Sequence, residues 1–254
     1  MTTKTWVLLV RVSMGTIIQS RITPQPALDY HACCQCANQN NGNFYDFIPQ
    51  SASRLAVSIG DLPAPGDLAL NTSCVQSLIR GLTVGSRGDV ESLARELNRT
   101  LYLLLPHDIA VPWFYGWIDP VRRELQYVNA GHEAPLLIRK RTRTAHRLER
   151  TGTALGFSAH SIHRHDVAAI DPGDLLILYS EGVADSLESD RLLDIVLDDP
   201  HAGTAEITRH VFAELDRAPA LGEDRTFAAV RVKSAYREPI VESRAERELA
   251  FCAA

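Results

Sequence analysis

The sequence contains no apolar run that approaches the roughly 18 residues needed to cross a bilayer, so no membrane span is predicted. An apolar stretch near the start is interrupted by Arg11 and is followed by no small-residue cleavage site, which argues against a signal peptide. Positive charge is also scarce, because 26 Lys and Arg stand against 31 Asp and Glu. Nucleic-acid-binding domains are normally basic, so no nucleic-acid partner is expected.

Cysteine is sparse and does not form a paired pattern. Of the five cysteines, Cys33, Cys34 and Cys36 crowd together, whereas Cys74 and Cys252 are isolated. An odd, uneven set favours reduced thiols in a cytoplasmic protein over a disulfide framework. A zinc site built on the CCQC stretch lacks a second ligand pair at suitable spacing.

Several catalytic motifs are missing as well. The sequence has no GxSxG elbow, which argues against a serine hydrolase of that type. It has neither GxxxxGK[ST] nor GxGxxG, which argues against a nucleotide-binding phosphotransferase.

Periodicity predicts strands that come in runs and helices that come in groups. The expected strands are Arg54–Ile59, Trp113–Ile118, Leu125–Asn129, Pro135–Arg139, Asp166–Ile170, Leu175–Tyr179 and Thr226–Val232. The expected helices are Asp67–Leu82, Val90–Leu105 with Asp89 as its cap, and Ala205–Leu215. This order indicates an α+β protein in which two mostly antiparallel sheets pack face to face with helices outside. We expect a short segment at 1–30, one folded domain over 31–234 and a charged tail over 235–254.

Acidic residues fall at the ends of the predicted strands. Asp61 ends RLAVSIGD, and Glu223 and Asp224 precede the last strand. Glu181 follows the buried run LLILYS, where a tight turn is predicted. Each residue alone is typical of a turn, but together they predict an oxygen-rich site of the kind that Mg²⁺ or Mn²⁺ prefers.

A series of motifs resembles one family in order and spacing. NGNFYDF, SIGDLPAPGDLAL, ELNRTLY, YVNAGHEAPLL, GTALG, DPGDLLILYSEGVADS and EDRTFAAVRV are similar to the motifs of the stage II sporulation protein E (SpoIIE) type phosphatases. These form a branch of the metal-dependent protein phosphatase 2C (PPM) superfamily. The resemblance covers about residues 17–233, and YVNAGHEAPLL is its most specific single match.

The resemblance implies an αββα sandwich with Mn²⁺ or Mg²⁺ ions at one edge. It implies hydrolysis of phosphoserine or phosphothreonine on a regulatory protein, in this branch an anti-sigma-factor antagonist with a STAS domain, and it leaves open a homodimer. Carried over by position, Asp61 and Glu181 are the catalytic candidates. The implied metal ligands are Asp61, Leu62 through its carbonyl, Glu181, Glu223 and Asp224.

The residues that depart from the family pattern include positions that the resemblance implies to be metal ligands. Asn43 replaces an Asp of the motif, while Glu181 and Glu223 each replace an Asp with a side chain one methylene longer. The remaining charge suffices for one divalent ion, and the loss at Asn43 is expected to weaken a second. Two hypotheses follow: a metal-dependent phosphatase, or a non-catalytic descendant that binds a phosphorylated partner.

The remaining polar signals receive simpler interpretations. Asp46 and His132 are accessory candidates, His132 for proton transfer. The histidines of HSIHRH, residues 160–165, are interpreted as a solvated loop and not as a transition-metal site. The basic run RKRTRTAHR, residues 139–147, is interpreted as a solvated hairpin tip.

Overall fold

The computed structural model describes residues 25–37, 42–51, 53–63, 71–85, 89–199, 201–218 and 222–233. The strands are β1 (Leu28–Gln35), β2 (Asn43–Pro49), β3 (Leu55–Asp61), β4 (Trp113–Asp119), β5 (Glu124–Ala130), β6 (Leu136–Ile138), β7 (Ala145–Arg147), β8 (Asp166–Ala169), β9 (Leu175–Tyr179) and β10 (Arg225–Val232). The helices are α1 (Thr72–Gly85), α2 (Val90–Leu104), α3 (Glu181–Ser186), α4 (Ser189–Asp198) and α5 (Thr204–Leu215).

The strands form two antiparallel sheets of five strands each. The first sheet has the order β1-β10-β9-β6-β7, and the second has the order β2-β3-β4-β5-β8. Helices α1 and α2 cover the second sheet, while α3, α4 and α5 cover the first. The predicted α+β sandwich with its αββα layering is therefore confirmed.

The two sheets share a central core, and this explains why some strands are apolar throughout. In β9, Leu176 and Leu178 point into the space between the sheets. Leu175, Ile177 and Tyr179 point the other way, against the helices of the first sheet. Because both faces of β9 are covered, the strand reads as a continuous apolar run without alternation.

Helix α2 follows its amphipathic pattern closely. Leu93, Leu97 and Leu101 are buried against the second sheet. The carboxylate of Asp89 accepts hydrogen bonds from the backbone N–H groups of Glu91 and Ser92 at 3.0 and 3.1 Å, which satisfies two of the donors left open at a helix start. The predicted cap is confirmed.

Several elements differ from the prediction. The segment 1–30 was expected to precede the domain, yet β1 begins at Leu28. The tight turn expected after Tyr179 is wrong, because the chain enters α3 directly and the N–H groups of Val183 and Ala184 bond to the carbonyl of Ser180. The strands β1, β2 and β7 and the helices α3 and α4 were not predicted, since the strands are edge strands and α3 is only six residues long.

Other expectations concern the surface and the termini. The basic run 139–147 forms the turn and second strand of the β6–β7 hairpin, and its tip over 140–144 is exposed, as predicted. Arg139 differs from the prediction, because it is half-buried and forms an ion pair with the buried Asp174. No helix in the described part of the chain is long and apolar enough to cross a membrane. The tail at 235–254 and the start of the helix predicted from Asp67 lie outside the described residues.

Candidate metal centre

One edge of the sandwich collects the ends of strands from both sheets. The antiparallel register of β2 and β3 places Asn43 directly opposite Asp61. Both residues lie on the strand face that also carries Val57 and Ile59, which belong to the core between the sheets. On the other sheet, β9 ends and β10 begins at this edge, joined by a bond from Ser180 N to Thr226 O of 2.9 Å.

The carboxylates predicted from the sequence converge here. The pKa of Asp61 is raised to about 6, first by burial and then by the negative charges of Asp224, Glu181 and Glu223, in that order of importance. We call these residues the carboxylate cluster. Residues far apart in the sequence therefore share one electrostatic site, in which three carboxylates act on the half-buried Asp61.

Asp224 is fixed by both its side chain and its main chain. Its Oδ1 accepts a hydrogen bond from Ala37 N at 2.7 Å, and its Oδ2 accepts one from Gly42 N at 3.1 Å. Its backbone carbonyl accepts two further bonds, from Asn43 Nδ2 at 3.0 Å and from Ser180 Oγ at 3.1 Å. Three neighbouring segments thus hold Asp224 in place.

Asn43 uses its amide in a way that a carboxylate could not. Besides the bond to Asp224, its Nδ2 donates to Thr226 Oγ1 at 3.2 Å, so it connects β2 of the second sheet with β10 of the first. The motif suggested only that an anionic oxygen is missing at this position. The structure shows in addition that the Asn43 amide supplies a hydrogen-bond donor at this position.

Two glycines allow the main chain to approach closely around the cluster. A Cβ at Gly42 would lie 2.4 Å from Leu62 O and 2.7 Å from Asp61 Oδ1. A Cβ at Gly182 would lie 2.4 Å from Asp224 O. Any larger residue would force these backbones apart. Gly42 therefore allows the close approach of the Leu62 carbonyl and the Asp61 carboxylate, and Gly182 allows the start of α3 to lie against the Asp224 carbonyl.

The chemistry of these donors fits a hard divalent cation, because the group offers only oxygen and carries excess negative charge. Asp61, Asp224 and Leu62 are its less exposed members. Glu181 and Glu223 are exposed. Within the described residues, no three His, Cys, Asp or Glu side chains already surround a single point as a metal site requires.

Asp46 lies apart from this cluster. It occupies the alternate face of β2, which points towards the helices, and forms an ion pair with Arg80 of α1. Burial raises the pKa of Asp46, and the charge of Arg80 opposes that shift. Its partner is therefore a helix residue and none of the four carboxylates.

His132 is buried in the turn after β5. Its backbone N–H donates to Asn129 Oδ1 at 3.0 Å, and its Nδ1 lies 3.0 Å from the Glu133 carbonyl, to which it donates. Burial lowers the pKa of His132 to about 4, so the ring is neutral at pH 7. These contacts stabilise the turn at Gly131, where φ is +75°.

The histidines of the 160–165 segment do not come together. His163 is buried, with Nε2 donating to the Thr153 carbonyl at 2.8 Å. His165 Nδ1 lies 2.8 Å from the Glu91 carboxylate, and His160 is exposed. The interpretation as a solvated loop is therefore wrong for His163, because the segment folds back over it.

The comparisons with known proteins fit this geometry. A family model described as Stage II sporulation protein E (SpoIIE) matches residues 52–233, which is well over half of the chain. The chain belongs to the SpoIIE family. The match begins after β2, so the SpoIIE region includes Asp61, Glu181, Glu223 and Asp224 but not Asn43.

Two curated proteins are similar to this chain. Protein IcfG of Synechocystis sp. (strain ATCC 27184 / PCC 6803 / Kazusa) is 31% identical over 183 residues, covering 61% of this chain and 29% of that protein. Phosphoserine phosphatase RsbU of Bacillus subtilis (strain 168) is 23% identical over 227 residues, covering 86% of this chain and 67% of that protein. The chain thus spans under a third of IcfG and about two thirds of RsbU.

A solved structure supports the fold. The catalytic domain of the serine/threonine protein phosphatase PstP, in complex with two manganese ions, superposes with a TM-score of 0.61 at 13% identity. The match covers 81% of this chain and 98% of that one. At this identity, the likeness establishes the architecture of the SpoIIE region and nothing further.

Proposed function

We propose that this chain is a SpoIIE-type serine/threonine protein phosphatase that depends on a divalent ion. The observation that carries the proposal is the convergence of Asp224, Glu181 and Glu223 on Asp61 at the edge where the two sheets meet. Burial raises the pKa of Asp61 most, and the negative charges of the other three carboxylates add to that rise; a bound cation would offset both effects. RsbU is named a phosphoserine phosphatase, and the PstP catalytic domain binds two manganese ions, so both support metal-dependent removal of phosphate.

Each residue of the cluster has a distinct part in this proposal. Asp61 and Asp224 would hold Mn²⁺ or Mg²⁺ together with the Leu62 carbonyl. Glu181 begins α3 and Glu223 precedes β10, and their exposed side chains would complete the ligand set. When bound, such an ion activates water and neutralises the phosphoryl group in an in-line displacement.

The protein's own groups define the rest of the reaction. Main-chain hydrogen bonds from Ala37 N and Gly42 N hold the Asp224 carboxylate in its orientation. The proposed substrate is phosphoserine or phosphothreonine on a regulatory protein, and within the SpoIIE family we propose a STAS-domain anti-sigma-factor antagonist.

The test is hydrolysis of p-nitrophenyl phosphate as a function of Mn²⁺ and Mg²⁺ concentration. We expect activity that requires the ion and is lost in Asp61→Asn. Asp185→Asn is the matched control, because Asp185 is an exposed carboxylate on α3 that does not influence Asp61. Equal activity in wild type and Asp61→Asn would refute the assignment.

A second candidate function is recognition of a phosphorylated partner without hydrolysis. Asn43 in place of an acid and the exposure of Glu181 and Glu223 favour it, since they leave the described ligand set open. A folded wild-type protein that shows no ion-dependent hydrolysis but binds a phosphoserine protein would support this candidate over the first.

A further inference from the structure

Phe157 is presented to solvent by a rigid turn. Its side chain is 66% exposed, although both of its neighbours are anchored. Gly156 N donates to Asn98 Oδ1 at 2.9 Å, and Asn98 Nδ2 donates to the Ser158 carbonyl at 2.9 Å. Asn98 is buried on α2, and Gly156 has a φ of +80° that favours glycine. One buried amide therefore fixes the chain on both sides of an exposed aromatic ring.

The ring stands at the lip of a cleft of about 400 Å³. Thr153, Ala154 and two glycines line most of the cleft, and Arg150 lies at its rim. Arg150 is largely exposed, and its nearest carboxylate, on Glu133, is 3.8 Å away, beyond hydrogen-bond distance. An exposed aromatic residue and an exposed Arg that line the same cleft are typical of a protein-binding surface.

The cleft lies close to the carboxylate cluster along the sheet. Asp61 N donates to the Pro112 carbonyl at 3.0 Å, on one side of the strand that leads into β4. On the other side of that strand, Val111 and Leu155 exchange backbone hydrogen bonds of 2.8 and 2.9 Å. Trp113, at the start of β4, pairs with Gly131, which is one of the residues that line the cleft. Adjacent strands are about 4.8 Å apart, so the Gly131 backbone lies roughly 10 Å from that of Asp61.

The distance of roughly 10 Å between the carboxylate cluster and the cleft is one that a short extended peptide can span. An extended chain advances about 3.3 Å per residue, so about three residues span the distance from the carboxylate cluster to the cleft. A phosphorylated segment with its phosphate at the cluster therefore places its third neighbour at Phe157.

We infer that this cleft docks the phosphorylated segment of the protein substrate. An apolar side chain three residues from the phosphoserine packs against Phe157, and an acidic side chain of the same segment pairs with Arg150. This inference rests on the proposed function and adds the substrate class: a segment with apolar and acidic residues flanking the phosphoserine.

The experiment uses two phosphoserine peptides with acidic flanks, one with Leu and one with Ala at both positions three residues from the phosphoserine. The measured quantity is kcat/KM for each peptide divided by that for p-nitrophenyl phosphate. Wild type should favour the Leu peptide by about tenfold, and Phe157→Ala should abolish this preference. Arg150→Ala should lower the ratio for both peptides.

Val121→Ala is the control, because Val121 is an exposed apolar residue in the β4–β5 turn, at the opposite end of the second sheet. It should retain the preference. Equal kcat/KM for the two peptides in wild type, or an unchanged preference in Phe157→Ala, overturns the inference.

Fluorescence anisotropy of the labelled peptides separates this inference from the proposed function. A protein without activity on p-nitrophenyl phosphate that still binds the Leu peptide more tightly, in a Phe157-dependent manner, refutes the phosphatase proposal and supports the docking surface. A protein that hydrolyses p-nitrophenyl phosphate but shows no preference between the two peptides, either in kcat/KM or in binding, supports the phosphatase proposal and refutes the docking surface.

Discussion

Asn43 donates a hydrogen bond from its side-chain amide to the backbone carbonyl of Asp224, a residue 181 positions away and on the other sheet. Asn43 also faces Asp61 across the β2–β3 pair. The residue that departs from the SpoIIE motif is thus a contact between the layers, and returning it to the motif's Asp has a physical cost.

The first prediction concerns Asn43→Asp. In the absence of metal, we expect the free energy of unfolding to fall by about 1–3 kcal/mol, because the donor to Asp224 is lost and a like charge is added opposite Asp61. Urea titrations in EDTA and in Mn²⁺ measure this, and the deficit should shrink with Mn²⁺. Asn43→Ala separates the lost donor from the added charge. An Asn43→Asp protein as stable in EDTA as wild type would contradict the prediction.

The second prediction follows from the pKa of Asp61, which is about 6 in the folded protein against an ordinary value of 3.8. Between these values the unfolded chain releases a proton that the folded protein keeps. Without metal, the free energy of unfolding should therefore fall by about 2–3 kcal/mol as the pH rises from about 4 to 6, and stay low above that.

Asp61→Asn is the matched variant for that pH dependence. It should be more stable than wild type at pH 7 in EDTA and should lose most of the decline between pH 4 and 6, although it loses the proposed activity. Identical pH profiles for the two proteins would show that Asp61 titrates at its ordinary pKa.

The third prediction uses the close approach at Gly182. Gly182→Ala should weaken Mn²⁺ binding at least tenfold by calorimetry, since its Cβ would lie 2.4 Å from Asp224 O and displace that residue. Gly81→Ala is the control: a Cβ there has no neighbour within 4 Å, and the change should stabilise α1 by about 0.5–1 kcal/mol. Unaltered binding in Gly182→Ala would mean that Asp224 is not a ligand.

The fourth prediction concerns Asp46 and Arg80. Arg80→Met should cost about 3 kcal/mol in thermal or urea unfolding, because it leaves the buried Asp46 carboxylate without its cation. Arg99→Met, at an exposed position of α2, should cost little. Asp46→Asn then tests whether Asp46 has an accessory role in the reaction. Loss of ion-dependent hydrolysis would support that role, and retained hydrolysis would show that Asp46 serves only to pair with Arg80 of α1.

The sequence predicted the layers well because burial leaves a periodic signal. The run Leu175–Tyr179 matches β9 residue for residue, since both faces of that strand are covered. β1 was missed because six of its eight residues are only half-buried at the sheet edge, with polar and small residues that show no clear alternation. The short helix α3 was missed because six residues carry no helical period.

The candidate site was predicted in part for a similar reason. Antiparallel strands bring chain ends to a common edge, so carboxylates at strand ends could be placed together from the sequence. The role of Asn43 could not be predicted, because its partners Asp224 and Thr226 belong to the other sheet. Burial of His163 was equally hidden, since it depends on how the loop folds over Gly152.

The division of the carboxylate cluster between the sheets has a mechanical consequence. Asp61 belongs to one layer, and Glu181, Glu223 and Asp224 belong to the other, so a slip of one strand by a single residue would separate them by about 3.3 Å. Any ligand that binds all four carboxylates at once therefore links the two sheets directly. The force needed to slide one sheet past the other should therefore increase with the concentration of that ligand.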